Sequence, residues 1–402
     1  MSLADLKTLE TAAVLVDGQR AGTLRRTRTG VEFVYVDGYD GSPVATTLPL
    51  DIGVVKAPAG ALPPFFSGLL PEGRRLTAIR RATKTSADDE LTLLLAVGSD
   101  TIGNVQVVAD GSTSLAAPDF APKGLGEVDF EALFEDVLSP TIADRAAIPG
   151  VQDKVSGRMI SLPVAYRSAQ WILKLDPPEF PHLVANEAFF LAAARASGID
   201  AAFAETIVDA KGRRGLLVRR FDRVRDGKQF RALAQEDACQ VLGRYPADKY
   251  RLSAEEVVRG LSLCTGAPKV AARTLLSQFA FAYVTCNGDA HAKNFSIVRS
   301  DRDYEVAPLY DAPSTYLYGD TTLALDVVGK NREDVGREDF VELGSRCGVP
   351  EKASRSVLDA IAAGAESWLA RLAELPFDRR KVHKLRKACE YRRDRLAGIR
   401  TG

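Results

Sequence analysis

The segment Asn287-Gly-Asp-Ala-His-Ala-Lys-Asn-Phe-Ser296, followed by Ala307-Pro-Leu-Tyr-Asp311, carries the strongest fold signal in this chain. It places Asp289, Asn294 and Asp311 in the order that protein kinases use for a catalytic base and two Mg²⁺ ligands. Because phosphoryl transfer needs positioning and charge neutralisation more than covalent chemistry, one base and two oxygen ligands on loops suffice. The opposing interpretation is that Asn, Gly and Asp are ordinary turn residues and that the triplet arose by chance.

Composition places the chain among ordinary globular proteins. Its 402 residues, 46% of them hydrophobic, can bury a large core and predict two or more domains. Lys+Arg and Asp+Glu both number 53, so no whole-chain charge points to nucleic acid or a membrane. Five scattered cysteines without a C-x-x-C pair indicate reduced thiols, and three histidines make a zinc site unfavourable. With no membrane-length apolar run and no signal peptide, we expect a cytoplasmic protein that does not contact a membrane.

Local patterns divide the chain into three predicted units. Residues 1–110 read as a β-rich N-terminal subdomain, because short apolar segments alternate with turn signals such as Asp17-Gly18 up to about residue 55. A helix is predicted over 88–97. The stretch 110–124 is rich in Gly, Ser and Pro, which indicates a linker or surface loop.

The second unit, 125–234, is predicted to be a nucleotide-binding core, and the third, 235–402, a helical catalytic lobe. Each unit is predicted from apolar periodicity. The second contains strands at 155–162, 171–175, 204–209 and 216–220 and a helix at 186–197. The third contains a short strand at 295–298 and helices at 254–264, 269–285, 335–347, 350–374 and 377–397.

A nucleotide site is predicted upstream of the opening segment. Ile148-Pro-Gly-Val-Gln-Asp-Lys154 precedes a strand and Lys174 lies on the next one, which together supply phosphate donors and a cation. We predict that Lys174 contacts phosphate and that Glu187, on the following helix, orients it as an ion pair. The alternative is a surface lysine and a first-turn glutamate favoured by the helix dipole. Gly150 lets backbone approach a phosphate, whereas Pro149 has no N–H to donate.

Three further segments are open to two interpretations. Residues 216–222 form either a hinge that offers backbone groups to adenine or an ordinary amphipathic strand. His291 and Lys293 flank the predicted base and have donors for phosphate oxygens, although a lone histidine is more often structural. The basic stretch 378–395 suits nucleic acid or an acidic partner, but a solvated helix face is the favoured interpretation.

Taken together, the ordered motifs resemble the HipA family of serine/threonine kinase toxins, and the resemblance spans nearly the whole chain. The set is far more specific than any member of it. The residues that carry it are Leu69-Leu-Pro-Glu-Gly73, Ala96-Val-Gly-Ser-Asp-Thr-Ile-Gly103, Gly150-Val-Gln-Asp-Lys154, Ile172-Leu-Lys174, Asn186-Glu187, Arg220-Phe-Asp-Arg223, Gln235-Glu-Asp-Ala-Cys-Gln240, Lys249-Tyr250, the Asp289 to Asn294 motif and Tyr310-Asp311.

The resemblance implies an α+β, protein-kinase-like two-lobed fold. It has an N-terminal α/β lobe with an added β-rich subdomain and an all-helical C-terminal lobe, with ATP between the lobes. It implies that Asp289 is the catalytic base and that Asn294 and Asp311 bind Mg²⁺. The residues implied to contact the nucleotide are Pro149, Gly150, Val151, Gln152, Asp153, Lys154, Lys174, Glu187, Arg219, Arg220, Phe221, His291, Ala292, Lys293, Asn294, Tyr310 and Asp311.

The resemblance also implies a physiology. The chain would be the toxin of a type II toxin-antitoxin module, held inactive by a HipB-like helix-turn-helix antitoxin that links it to operator DNA. Its substrate would be a protein, such as an aminoacyl-tRNA synthetase or another translation component. Two departures stand out: Ala146-Ala147 replaces the serine that family members often autophosphorylate, and Asp289-Ala290-His291 replaces Asp-Gly-His. Alanine would be costly at Ala290 if φ were positive, and we expect that it is not.

Two other functions stay open on the sequence. A small-molecule phosphotransferase of the same fold, such as one acting on a sugar or aminoglycoside, would be favoured by acidic clusters for a cationic substrate, and none is convincing. A catalytically silent nucleotide-binding scaffold in an antitoxin–DNA complex would not need the intact set of Lys174, Asp289, Asn294 and Asp311.

Overall fold

The computed structural model describes residues 3–111, 128–130, 132 and 159–399, except 168, 178, 228, 302 and 333. The predicted linker beyond residue 111, the phosphate-loop residues Pro149 to Lys154 and the positions Ala146 and Ala147 lie outside the described residues. The strand predicted at 155–162 is described from Ile160 onward.

A five-stranded antiparallel sheet forms the beginning of the chain, in the order β4-β3-β2-β1-β5. Asp17 and Gly18 both have positive φ, 50° and 78°, as a two-residue turn between twisted strands requires. Three helices cover the sheet, and Phe33, Phe66 and Leu94 are fully buried between the layers. The β-rich beginning and the helix near residue 90 are as predicted. The strands are β1 Thr11–Val16, β2 Gln19–Thr27, β3 Gly30–Tyr35, β4 Val55–Pro58 and β5 Val105–Ala109, and the helices are α1 Pro64–Gly68, α2 Gly73–Thr83 and α3 Glu90–Val97.

A second antiparallel sheet has the order β6-β7-β9-β8 and carries helix α4, Leu183–Ala196, between its strands in the chain. The start of α4 packs Leu183 and Val184 against Leu216 and Val218 of the sheet. Its later residue Phe190 belongs to the core of the helical lobe. This helix therefore joins the two lobes. The strands are β6 Ile160–Tyr166, β7 Ala169–Leu175, β8 Ala204–Val208 and β9 Arg214–Arg219.

The rest of the described chain is mainly helical, with a hairpin at its entrance and a small sheet beside the opening segment. Within it, α7 is the central helix and buries Phe281 and Tyr283, while α9 buries Trp368. The predicted 350–374 helix stops at Leu369 and continues as a 3₁₀ turn. The strands are β10 Arg223–Asp226, β11 Gln229–Ala232, β12 Gln235–Asp237, β13 Ser296–Arg299 and β14 Tyr304–Val306, and the helices are α5 Ala238–Val241, α6 Ala254–Leu263, α7 Pro268–Val284, α8 Arg337–Arg346, α9 Glu351–Leu369 and α10 Arg379–Ala397.

The antiparallel sheet β12-β13-β14 adds a strand element to the helical lobe. Its middle strand β13 follows the 287–294 segment, called the catalytic loop below after its predicted role, and overlaps the strand predicted at 295–298. No helix in the described part of the chain is long and apolar enough to cross a membrane. The division of the chain at residues 110 and 235 stays a prediction.

Candidate active site

The segment around Asp289 is a tight, buried loop between α7 and β13. The chain reverses at Cys286, whose φ is 55°, and the Asp289 N–H then donates to Asn287 Oδ1 at 3.0 Å. Asp289 is 2% exposed, and Tyr250 Oη donates to its Oδ1 at 2.5 Å. Ala290 is not among the described non-glycine residues with positive φ, so the expectation for this position is confirmed. The loop thus holds a carboxylate in one orientation.

Asn294 ends the 3₁₀ turn Ala292–Asn294 and connects the loop to Asp311. Its Oδ1 accepts from the His291 N–H at 3.1 Å, and its Nδ2 donates to Asp311 Oδ2 at 2.9 Å. Asp311 has a φ of 52°, a left-handed conformation that aspartate tolerates better than most residues and that concentrates at functional sites. The two predicted metal ligands are therefore adjacent.

Lys174 and Glu187 form the predicted ion pair. Lys174 Nζ lies 2.7 and 2.9 Å from the two Glu187 carboxylate oxygens and 3.0 Å from Asp311 Oδ1. The interpretation of Lys174 as a surface residue is wrong, because it is only 9% exposed. Burial alone would lower the pKa of Lys174, but the carboxylates of Asp311 and Glu187 outweigh it and raise that pKa. The lysine is thus a fixed positive charge beside Asp311.

Asp311 and Asn294 offer oxygen ligands. They suit Mg²⁺, which is also bound by phosphate and water, better than they suit a metal ion coordinated by protein groups alone. The described residues contain no group of three or more His, Cys, Asp or Glu that could hold a metal ion. Mg²⁺ is usually bound by one or two carboxylates together with substrate phosphates and water. Asp311 supplies a carboxylate whose side chain is 20% exposed, and Asn294 Oδ1 has a second lone pair. The two residues fit a Mg²⁺–phosphate complex.

His291 lies in the loop as a neutral side chain. It is 3% exposed, and its Nδ1 has no hydrogen-bond partner among the described residues. Burial, reinforced by the positive charge of Lys249, lowers the pKa of His291 to about 3. Its ring meets that of Tyr250 edge to face, with centroids 5.0 Å apart. The prediction that His291 contacts phosphate stays open, and any donation would come from a single N–H of a neutral ring.

Lys293 and Ala292 differ from the predicted nucleotide contacts. Lys293 Nζ donates to Glu72 Oε1 at 2.8 Å and to the Gly68 carbonyl at 3.3 Å, and the residue is 5% exposed. Ala292 is fully buried, and its N–H donates to the Lys249 carbonyl at 3.1 Å. Both residues point into the protein because they anchor the loop to neighbouring segments. Lys293 is thus held by protein partners, and its contact with phosphate stays a prediction.

The hinge residues are largely occupied by protein contacts. The N–H groups of Arg219 and Arg220 donate to the Phe203 and Gln170 carbonyls at 2.8 and 2.9 Å, so these two donors are not open to adenine. The Arg220 side chain forms ion pairs with Asp100 and Asp222, and the residue is 2% exposed. Any contact with adenine from this segment, as predicted, would come from carbonyl groups or from residue 221.

The aromatic rings of Phe221 and Tyr310 are partly buried beside strand β7, which carries Lys174. Their ring centroids are 5.7 Å apart, and both pack on the cluster that includes Val218. Tyr310 Oη also donates to the Lys293 carbonyl at 2.7 Å, which leaves only the ring for ligand contact. This position suits an apolar surface for a nucleobase.

The segment after Asp311 is packed against the catalytic loop. Asn186 exchanges two side-chain hydrogen bonds with the Ser314 backbone, at 2.8 and 3.0 Å. Gly288 donates its N–H to Thr315 Oγ1 at 2.8 Å, and a Cβ at Gly288 would lie 2.6 Å from an Asp320 carboxylate oxygen. Glycine is therefore required at this close approach, and the segment is held in one position.

Three residues of the site were not assigned a role from the sequence: Glu72, Lys249 and Tyr250. Each lies in a motif that carries the family resemblance, yet no local spacing connects them to Asp289. Only their position in the motif series could have indicated them.

This architecture, with a lysine–glutamate pair, a loop aspartate and an Asn–Asp pair between two lobes, defines a protein-kinase-like protein. A family model described as the HipA N-terminal domain matches residues 12–108, and one described as the HipA-like C-terminal domain matches residues 146–369. The chain belongs to the HipA family.

Two relatives and one solved structure are consistent with this assignment. Y4mE of Sinorhizobium fredii, whose name describes a candidate kinase, is 32% identical over 338 residues, which cover 78% of this chain and 79% of the relative. The serine/threonine-protein kinase toxin HipA of Shewanella oneidensis is 28% identical over 309 residues, 70% of this chain and 68% of that protein. The structure of the Shewanella oneidensis HipA, HipB and operator DNA complex contains a chain of the same fold, with a TM-score of 0.77, 22% identity and coverage of 96% and 98%.

Proposed function

We propose that this chain is an ATP- and Mg²⁺-dependent serine/threonine protein kinase. One observation carries the proposal: Lys174, Glu187, Asn294 and Asp311, which come from four separate segments, meet in one hydrogen-bonded cluster. Such a cluster next to a buried loop aspartate is the arrangement that phosphoryl transfer requires. ATP would supply the phosphoryl group, and Mg²⁺ would neutralise its oxygens.

Each residue then has a definite task. Asp289 accepts the proton of the substrate hydroxyl, and the hydrogen bond from Tyr250 keeps its carboxylate in place. Asn294 and Asp311 hold Mg²⁺, and Lys174, oriented by Glu187, contacts phosphate. Because Lys174 Nζ lies 3.0 Å from Asp311 Oδ1, it is close to the proposed metal position.

The proposal extends to a biological role as the toxin of a toxin-antitoxin module. Two findings support it: a Shewanella oneidensis relative is named as a serine/threonine kinase toxin, and the matching solved chain is in a complex with HipB and operator DNA. On this basis the partner is a HipB-like antitoxin, through which the chain reaches operator DNA. The substrate is a protein of the translation apparatus, such as an aminoacyl-tRNA synthetase.

The test is labelling of a bacterial lysate with [γ-³²P]ATP and Mg²⁺ by the purified chain, next to its Asp311→Asn variant. We expect a labelled protein band that is absent with the variant and that mass spectrometry identifies. Labelling of small molecules alone would favour a small-molecule phosphotransferase. ATP binding without any transfer would favour a silent scaffold.

A further inference from the structure

Glu72 of the N-terminal subdomain reaches the catalytic loop through two buried lysines. Its carboxylate lies 2.5 Å from Lys249 Nζ and 2.8 Å from Lys293 Nζ. The side chains of these lysines are 0% and 3% exposed, and that of Glu72 is 12% exposed. Burial alone would raise the pKa of Glu72, but the two lysines outweigh it and lower that pKa to about 2. Glu72 is therefore ionised throughout the physiological pH range.

Both lysines are direct chain neighbours of site residues. Lys249 precedes Tyr250, whose hydroxyl donates to Asp289, and the Lys249 carbonyl accepts from the Ala292 N–H at 3.1 Å. Lys293 precedes Asn294, which bonds to Asp311. The Glu72 carboxylate, which comes from a distant segment, thus fixes both lysines. One lysine adjoins Tyr250, which orients the predicted base, and the other adjoins Asn294, a predicted metal ligand.

Ion pairs also join the N-terminal subdomain to the predicted hinge segment, so the subdomain that carries Glu72 is held in place. Asp100 accepts two hydrogen bonds from Arg220 at 2.9 and 3.1 Å and one from Arg223 at 2.9 Å. Arg220 is 2% exposed and Asp100 is 4% exposed. The N-terminal subdomain therefore bridges the hinge and the catalytic loop.

We propose that Glu72 is a positioning residue for phosphoryl transfer and that the N-terminal subdomain is part of the catalytic machinery. This inference rests on the proposed kinase function. Replacing Glu72 by glutamine removes the charge that holds both lysines, so the loop carrying Asp289 and Asn294 loses its fixed position. Lys174 keeps its own partners Glu187 and Asp311, so nucleotide binding should change less than the transfer step.

The test compares Glu72→Gln with Glu90→Gln as a matched control. Glu90 is a carboxylate of the same subdomain that accepts hydrogen bonds from the Leu62 N–H at 2.8 Å and from Ser67 Oγ at 2.5 Å, both within that subdomain. For Glu72→Gln we expect kcat for phosphate transfer to lysate protein to fall about 10- to 100-fold, with a smaller change in KM for ATP, because small misplacements of catalytic groups are costly. Glu90→Gln should leave both constants within about twofold. Glu72→Asp, which keeps the charge on a shorter side chain, should recover part of kcat.

Hydrogen exchange of the peptide covering residues 286–296 gives a second readout that does not need activity. We expect faster exchange in Glu72→Gln and no change in Glu90→Gln. If the wild-type chain transfers no phosphate, the proposed function is wrong, and hydrogen exchange still decides the role of Glu72. Wild-type kcat and wild-type protection of 286–296 in a folded Glu72→Gln protein would overturn the inference. Equal losses in both variants would show that Glu72 is merely structural.

Discussion

Two buried clusters of lysines and carboxylates lie on either side of the catalytic loop, and their charge ratios are opposite. The Lys174 cluster has one lysine and two carboxylates, Glu187 and Asp311. The Glu72 cluster has one carboxylate and two lysines, Lys249 and Lys293.

The difference in charge ratio indicates that the two lysine–carboxylate clusters have separate roles. Surplus negative charge at Asp311, whose side chain is 20% exposed, suits a site that takes up a cation and phosphate. The Glu72 cluster is closed, since its lysine side chains are at most 3% exposed, and it ties two distant segments together. One cluster is arranged for a ligand and the other for the position of the loop.

The largest expected effect comes from the residue between the clusters. Asp289→Asn should lower kcat about 10²- to 10⁴-fold, because it removes the proton acceptor with little change in volume. Radiolabel transfer measures kcat, and circular dichroism should show an unchanged thermal transition. Asp248→Asn is the control and should retain transfer, since Asp248 ends the 3₁₀ turn Pro246–Asp248 near Tyr250 and its side chain is 28% exposed. Transfer at the wild-type rate by the Asp289 variant would exclude Asp289 as the base.

Replacing one lysine in each cluster by methionine compares the two clusters directly. Lys174→Met should destabilise the chain by about 3–5 kcal/mol, because two carboxylates are left without their cationic partner, and should lower kcat about 10²-fold. Lys249→Met should cost less stability, since Glu72 and Lys293 remain as a balanced pair. Urea unfolding measures both losses. Added Mg²⁺ should restore more stability to the Lys174 variant than to the Lys249 variant, and an equal response would contradict the assignment of Asp311 as a metal ligand.

The pH dependence of stability separates Glu72 from Glu236, a buried carboxylate that bonds to Thr46 of the N-terminal subdomain at 2.8 Å. The pKa of Glu72 is lowered to about 2, so its stabilising effect is present above its unfolded pKa and is lost as the pH falls towards 2. Burial raises the pKa of Glu236 to about 7, so its contribution is present below its unfolded pKa and is lost as the pH rises through 7.

Thermal unfolding between pH 2 and 8 should therefore give different profiles for two variants. Glu72→Gln should be less stable than wild type at every pH above 4.5 and should approach wild type as the pH falls towards 2. Glu236→Gln should gain about 1–3 kcal/mol relative to wild type between pH 5 and 8. Parallel curves for the two variants would show that the two carboxylates titrate alike.

The smallest expected effect on transfer is at the segment that follows Asp311. Asn186→Ala removes both hydrogen bonds to the Ser314 backbone and should cost about 1–3 kcal/mol. We expect kcat/KM to fall several-fold, because Asp311 lies only three residues before Ser314, whose backbone loses its hydrogen bonds to Asn186. Steady-state kinetics with a wild-type value for this variant would show that the segment is held by its other contacts.

Features with a local cause could be predicted from the sequence. The hairpin turn at Asp17 and Gly18, the boundaries of α6 and α7, and the strand after the catalytic loop follow from turn chemistry and apolar periodicity. The Asp289–Asn294 spacing is also local, and Lys174 was linked to Glu187 through the strand–helix pattern. These predictions needed only neighbouring residues.

The tertiary structure alone decided where the buried charges pair. Lys293 resembled a phosphate ligand because it follows the predicted base Asp289, yet it bonds to Glu72, which is 221 residues away in the chain. Arg220 likewise resembled an open hinge residue, and Asp100, 120 residues away, buries it. An ion pair between distant residues leaves no periodicity in the sequence, because its geometry arises only when packed cores bring the two segments together. The sequence by itself therefore determined the elements and the chemical groups of this protein, and the fold determined which charges remain open to a ligand.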